Sequence, residues 1–201
     1  MEAALDALMN SLQSSGGLGQ MSRSTGVDES DIAKVLSGAL PALMSGLARN
    51  TESADGAAGL LSALDRDHDG SVMDDLAGFL AGAGAADTGS GILRHTFGDK
   101  QGQVESALSR TSGVDQGSVT QILAMVAPLV LGYLGRQQRA NNLDATGLAR
   151  MLGREQQVAR ERSPDAVSML SRMLDADNDG SIMDEVAEMG SDLLGSLFKK
   201  T

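Results

Sequence analysis

The chain has no cysteine and no tryptophan, one tyrosine, three phenylalanines, three prolines and two histidines among 201 residues. Without cysteine there are no disulfides, thiolate nucleophiles, zinc ribbons or iron–sulfur clusters. With only His68 and His95, imidazole-based metal sites lose their usual ligands. Basic residues are outnumbered: 16 Lys and Arg face 27 Asp and Glu, a net charge of −11. Such a chain repels phosphates, which argues against general affinity for nucleic acid or anionic lipid. The opening M-E-A-A-L-D lacks a basic start and a long apolar stretch, so a secretory signal is not expected. An uncharged apolar run at 122–134, I-L-A-M-V-A-P-L-V-L-G-Y-L, has 13 residues. A spanning helix needs about 20, so a buried core helix is expected there and no membrane span.

Apolar residues make up 41% of the chain, enough for a globular core despite the scarcity of aromatics. Ala, Leu, Met, Gln and Glu dominate the periodic segments and no two-residue alternation persists, which predicts an all-α fold. Ile32, Val35, Leu36, Ala39, Leu40 and Leu43 fall at helical spacing as one core face. Asp28 stands as the N-cap of that helix, with Asp31 in its first turn and a Val27–Ile32 staple. Pro41 and Pro128 each interrupt an apolar helix and should kink it or begin a new one. Gly16, Gly17 and Gly19 suggest a loop. No lysine with serine or threonine follows, so it is not a phosphate cradle.

An internal repeat organises the chain. S-R-S-T-G-V-D at 22–28 matches S-R-T-S-G-V-D at 109–115, an offset of 87 (109 − 22) that also aligns Pro41 with Pro128. L-D-R-D-H-D-G-S-V-M-D-D at 64–75 matches L-D-A-D-N-D-G-S-I-M-D-E at 174–185, now at an offset of 110 (174 − 64). The second copy has gained residues around 153–165. Two related multi-helix halves are therefore expected, 1–80 and 92–198, each with a proline-kinked apolar helix and a closing acidic loop. The intervening 81–91 is a glycine-rich linker, in a stretch (78–91) whose glycine density resists helix and strand. Paired helices joined by T-G-V-D or S-G-V-D resemble a helix-turn-helix, but Asp28, Glu29 and Asp31 would repel DNA, so no nucleic-acid partner is expected.

The acidic loops, 65–75 and 175–185, carry the metal-binding chemistry. Acids at positions 1, 3 and 5 followed by glycine are the front half of an EF-hand loop, where alternate carboxylates converge as the chain curls. The candidate ligands are Asp65, Asp67, Asp69, Ser71, Asp74 and Asp75 in the first loop, and Asp175, Asp177, Asp179, Ser181, Asp184 and Glu185 in the second. Ser71 and Ser181 would act through their carbonyls, while Val72 and Ile182 would point inward. Position 4, His68 or Asn178, would face water. The bidentate Glu of position 12 is absent; Leu76 and Val186 stand there. Asp74, Asp75, Asp184 or Glu185 must substitute. Calcium is the expected ion, with magnesium the second choice, because many flexible oxygen ligands suit the larger cation. The alternative is a plain helix start, with Ser71 or Ser181 as N-cap, Asp74 or Asp184 three residues on, and a solvated acidic turn before it.

His95 has no acid–base partner in the pattern, and no nucleophile or dinucleotide motif appears, so no catalytic residues and no enzymatic activity are expected. Eleven methionines suggest an adaptable core or interface. The amphipathic stretch 189–198 would dock on the core or a partner. The competing reading is thus a metal-independent module that holds a protein partner or a second copy of itself.

These motifs in order carry a resemblance: G-V-D, a proline-broken apolar helix, the first acidic loop, A-P-L-V-L-G-Y-L-G-R-Q-Q-R at 127–139, then the second acidic loop. The chain resembles the YidB-like bacterial family, domain of unknown function 937, from about Leu5 to Phe198. The resemblance implies a bacterial, all-helical, cytoplasmic protein. It supplies no catalytic residues, and the metal inference rests on loop chemistry alone.

Overall fold

A computed structural model describes residues 4–82 and 85–162. The second acidic loop and the amphipathic stretch 189–198 lie outside the described residues. Among the described residues the chain is all helical, as expected. The α-helices are α1 (Ala4–Ser14), α2 (Gly17–Thr25), α3 (Glu29–Asn50), α4 (Ala54–Arg66), α5 (Leu76–Ala81), α6 (Ala85–Phe97), α7 (Gln101–Ser112), α8 (Gln116–Asn141) and α9 (Ala145–Arg162). Short 3-10 turns at Ser71–Met73 and Gly98–Lys100 precede α5 and α7.

The centre is the pair α3 and α8. Ile32, Val35, Leu36, Ala39, Leu40 and Leu43 are all buried, as their spacing requires. The run 122–134 is the buried middle of α8; from Ile122 to Gly135 only Tyr133 is not fully covered. A helix apolar on every side must be covered on every side. α2, α3, α4, α6, α7 and the Ser71–Met73 turn all pack on α8, while α9 packs on α3 and α4. Among the described residues the buried apolar side chains form one cluster, from Leu8 to Leu152. By length and composition alone α3 and α8 are also long and apolar enough to cross a membrane, and most of each is buried inside the fold.

Local chemistry sets the corners. α2 ends at Gly26 (φ 74°) and α7 at Gly113 (φ 78°), left-handed positions that glycine adopts without strain. Their amides donate to Ser22 and Ser109 carbonyls at 2.8 and 2.9 Å. Asp115 then caps α8, its Oδ1 accepting from the Ser118 amide at 3.0 Å. Asp28 has the same extended backbone but makes no side-chain cap bond, so its expected acceptor role is not realised. Val27 is partly buried and packs against the core.

Two expectations about glycine need correction, and the prolines take one of the two outcomes expected of them: neither Pro41 nor Pro128 starts a new helix, and α3 and α8 run through them. The burial around them offsets the single backbone bond each proline removes. Gly17 and Gly19 lie within α2, leaving Gly16 (φ 73°) as the hinge instead of a longer loop. The glycine-rich stretch does not resist helix: α5 occupies its start and α6 begins at Ala85. The reason is tertiary. Gly89 is buried where α6 crosses α8, and a Cβ there would overlap the Ala124 backbone carbonyl. Glycine at this point serves close helix approach, not chain flexibility.

Exposed helical Gly→Ala changes usually stabilise by about 1 kcal/mol. Gly59→Ala in α4, where a Cβ meets open space, should raise the melting temperature. Gly89→Ala should instead cost about 1–3 kcal/mol through overpacking. Parallel thermal melts test both; a stabilising Gly89→Ala would refute the close crossing.

Candidate functional site

The first acidic segment leaves the last turn of α4 and crosses the C-terminal part of α8. Asp65 lies in that last turn and Asp67 caps it. Gly70 adopts φ 89°, the left-handed turn the pattern anticipates. The Asp69 Oδ1 accepts from the Ser71 amide at 3.0 Å, tightening the turn. The Ser71 carbonyl accepts from the Asp74 amide at 3.0 Å within the following 3-10 turn. Val72 and Met73 then pack, partly buried, against the core. Asp75 caps α5, accepting from the Gly78 amide at 2.8 Å. The helix start therefore uses Asp75, four residues beyond the Ser71 that the capping alternative selects.

What holds this segment is a face of α8 made by Gly132, Gly135, Arg136 and Arg139. The spacing i, i+3, i+4, i+7 puts all four on one side of a helix. The glycines let the segment approach the helix backbone closely. A Cβ on Gly132 would overlap Val72, and one on Gly135 would overlap the His68 carbonyl oxygen. Gly70 presses back, so that a Cβ on it would sit 3.0 Å from the Arg136 Cβ. The arginines supply the charge. Arg136 donates to the Gly70 carbonyl at 3.3 Å and pairs with the Asp74 carboxylate. Arg139 donates to the Asp69 carbonyl at 3.1 Å, reaches the Asp65 carbonyl at 3.5 Å, and pairs with the Asp69 carboxylate at 3.4 Å. Hydrogen bonds from Ser71, reinforced by Arg139, lower the Asp69 carboxyl to about 2.

Of the candidate ligands in this loop, Asp69 and Asp74 are thus paired to arginine and Asp75 caps a helix. The carboxylates of Asp65 and Asp67 make no hydrogen bond or ion pair among the described residues. No three acid or imidazole side chains stand together there as a cation-holding group. His68 corrects the expectation of a water-facing position 4: it is half-buried, and burial lowers its imidazole below 6.5 despite the pull of Asp67. It shares a cleft of about 720 Å³ with His95, floored by Leu47, Leu60, Ile92 and Leu131.

A sequence profile described as a bacterial protein of unknown function, DUF937, matches residues 6–137. The chain belongs to this family. No curated protein and no solved structure matches it. The DUF937 match takes in the first acidic loop and the glycines and Arg136 of its docking face. It stops before Arg139 and the second loop. Sequence reasoning picked out the acids but passed over their basic partners. The signal was present in G-Y-L-G-R-Q-Q-R at 132–139, two glycines and two arginines on one helical face.

Gly135→Ala should push the loop off α8 and lower stability by about 1–3 kcal/mol. The same change at exposed Gly153, with open space around it, should not. Asp69 tests the electrostatics. Its folded value lies below the ordinary 3.8, so its contribution is complete above that pH and fades as pH falls through about 2. Melts of the native chain and Asp69→Asn should differ near pH 5 and converge near pH 2. An equal gap at both ends would remove the ionised carboxylate from the account.

Proposed function

We propose that this protein is a divalent-cation-binding helical protein, built from two related halves that each close on an acidic loop, with calcium the preferred ion. Its role is structural, sensory or adaptor-like and not enzymatic. The observation that carries this reading is the pair of unengaged carboxylates, Asp65 and Asp67, beside the left-handed turn at Gly70. The charge left over fits. The loop holds five acids and Arg66, a net −4. Arg136 and Arg139 bring that to −2. A bound cation would gather Asp65 and Asp67 toward Asp69, with Asp74 as a further oxygen donor. The missing bidentate ligand and the arginine competition set the affinity at the weak end of the calcium range, about 10⁻⁴–10⁻³ M.

Calorimetric calcium titration of the metal-stripped chain, with magnesium as competitor, tests this directly. At 100 times its dissociation constant a bound ion stabilises by about 2.7 kcal/mol. Asp65→Ala should abolish the first site and Asp175→Ala the second. Absence of heat and of any melting shift at millimolar calcium would overturn the reading.

A second reading, a metal-independent interaction module, is favoured by the apolar-floored cleft between α4 and α6. It predicts concentration-dependent association that calcium leaves unchanged.

A further inference from the structure

We propose that the docking face of α8 accepts the second acidic segment, 175–185, in exchange for 65–75. The chain carries two nearly identical acidic segments, but among the described residues only one face is built to receive them. At the offset that aligns Pro41 with Pro128, the counterparts of Gly132, Gly135 and Arg136 are Ser45, Ala48 and Arg49 near the end of α3, and that of Arg139 is Glu52, just beyond the helix. Ser45 and Ala48 carry the Cβ atoms that would overlap a docked loop at Gly132 and Gly135. Both are already buried. α3 has ended before Glu52, which is acidic where α8 continues to Arg139. The α3 face is therefore closed to 175–185 by shape and lacks the second arginine.

The α8 face matches it on both counts once 65–75 leaves. Every group through which 65–75 holds α8 recurs in the second segment. The carbonyls of Asp65, Asp69 and Gly70 correspond to those of Asp175, Asp179 and Gly180. The carboxylates of Asp69 and Asp74 correspond to those of Asp179 and Asp184. Ile182 stands for Val72 at the Gly132 contact. Asn178 replaces His68, whose contact with Gly135 is made by the backbone carbonyl and not the imidazole. Recognition by the arginine pair and the glycine-lined backbone contact thus does not distinguish the two segments. This exchange requires no cation and stands apart from the calcium reading.

The test uses the full chain in chelator and a fluorescent peptide of residues 172–188. In the native chain the face is occupied. Asp69→Asn, Asp74→Asn, Asp179→Asn and Asp184→Asn together weaken both internal ligands and leave the face available. The peptide should bind this variant at least about tenfold more tightly than the native chain, because paired charges there are replaced by free arginines. Adding Arg136→Ala and Arg139→Ala should abolish binding, and a shuffled peptide of equal charge should not bind. Lack of binding to a variant that retains helical circular dichroism and a cooperative melt would overturn the exchange. So would equal binding of the shuffled peptide, or indifference to the arginines. If the fourfold variant does not fold, Asp74→Asn with Asp184→Asn carries the same comparison.

Discussion

The structure depends on the burial of α8. A helix whose run 122–134 is apolar around its full circumference is stable only when every face of that run is covered. That demand recruits neighbours from along the preceding chain. α2, α3, α4, α6 and α7 all pack on it, with α6 crossing at Ala124. The acidic segment covers the last apolar turn, where Gly132 and Leu134 give way to Arg136 and Arg139. Among the described residues one core results.

Close approach is the second constraint, and it gives the glycines their meaning. A glycine-rich composition normally signals chain flexibility. Here Gly89 and Gly135 are buried points at which backbone meets backbone, and Gly132 is a buried point at which backbone meets the Val72 side chain. They lie in helices because the crossing they permit stabilises more than their propensity costs. The loss is about 1 kcal/mol per glycine relative to alanine.

The acidic segment is partly neutralised from within. Two arginines from the far end of α8 engage its carbonyls and two of its carboxylates. The exposed ion pairs alone contribute little. Their strength lies in combination with backbone contacts that no larger residue would allow. A cation at Asp65 and Asp67 would thus join a loop that already has its fold.

From sequence alone came the helical class, the core face from Ile32 to Leu43, the helix start after Gly26, and the sharp turn at Gly70. Each rests on contacts within a few residues, or on periodicity along one helix. The tertiary structure decided the rest. It made 85–91 helical, carried α3 and α8 through their prolines, moved the helix cap to Asp75, and drew His68 partly inside. Above all it set the acids beside Arg136 and Arg139, more than sixty residues away. The sequence holds the spacing of those four α8 residues. Which chain segment meets that face is settled only by packing, because nothing local connects the acidic loop to the helix that receives it.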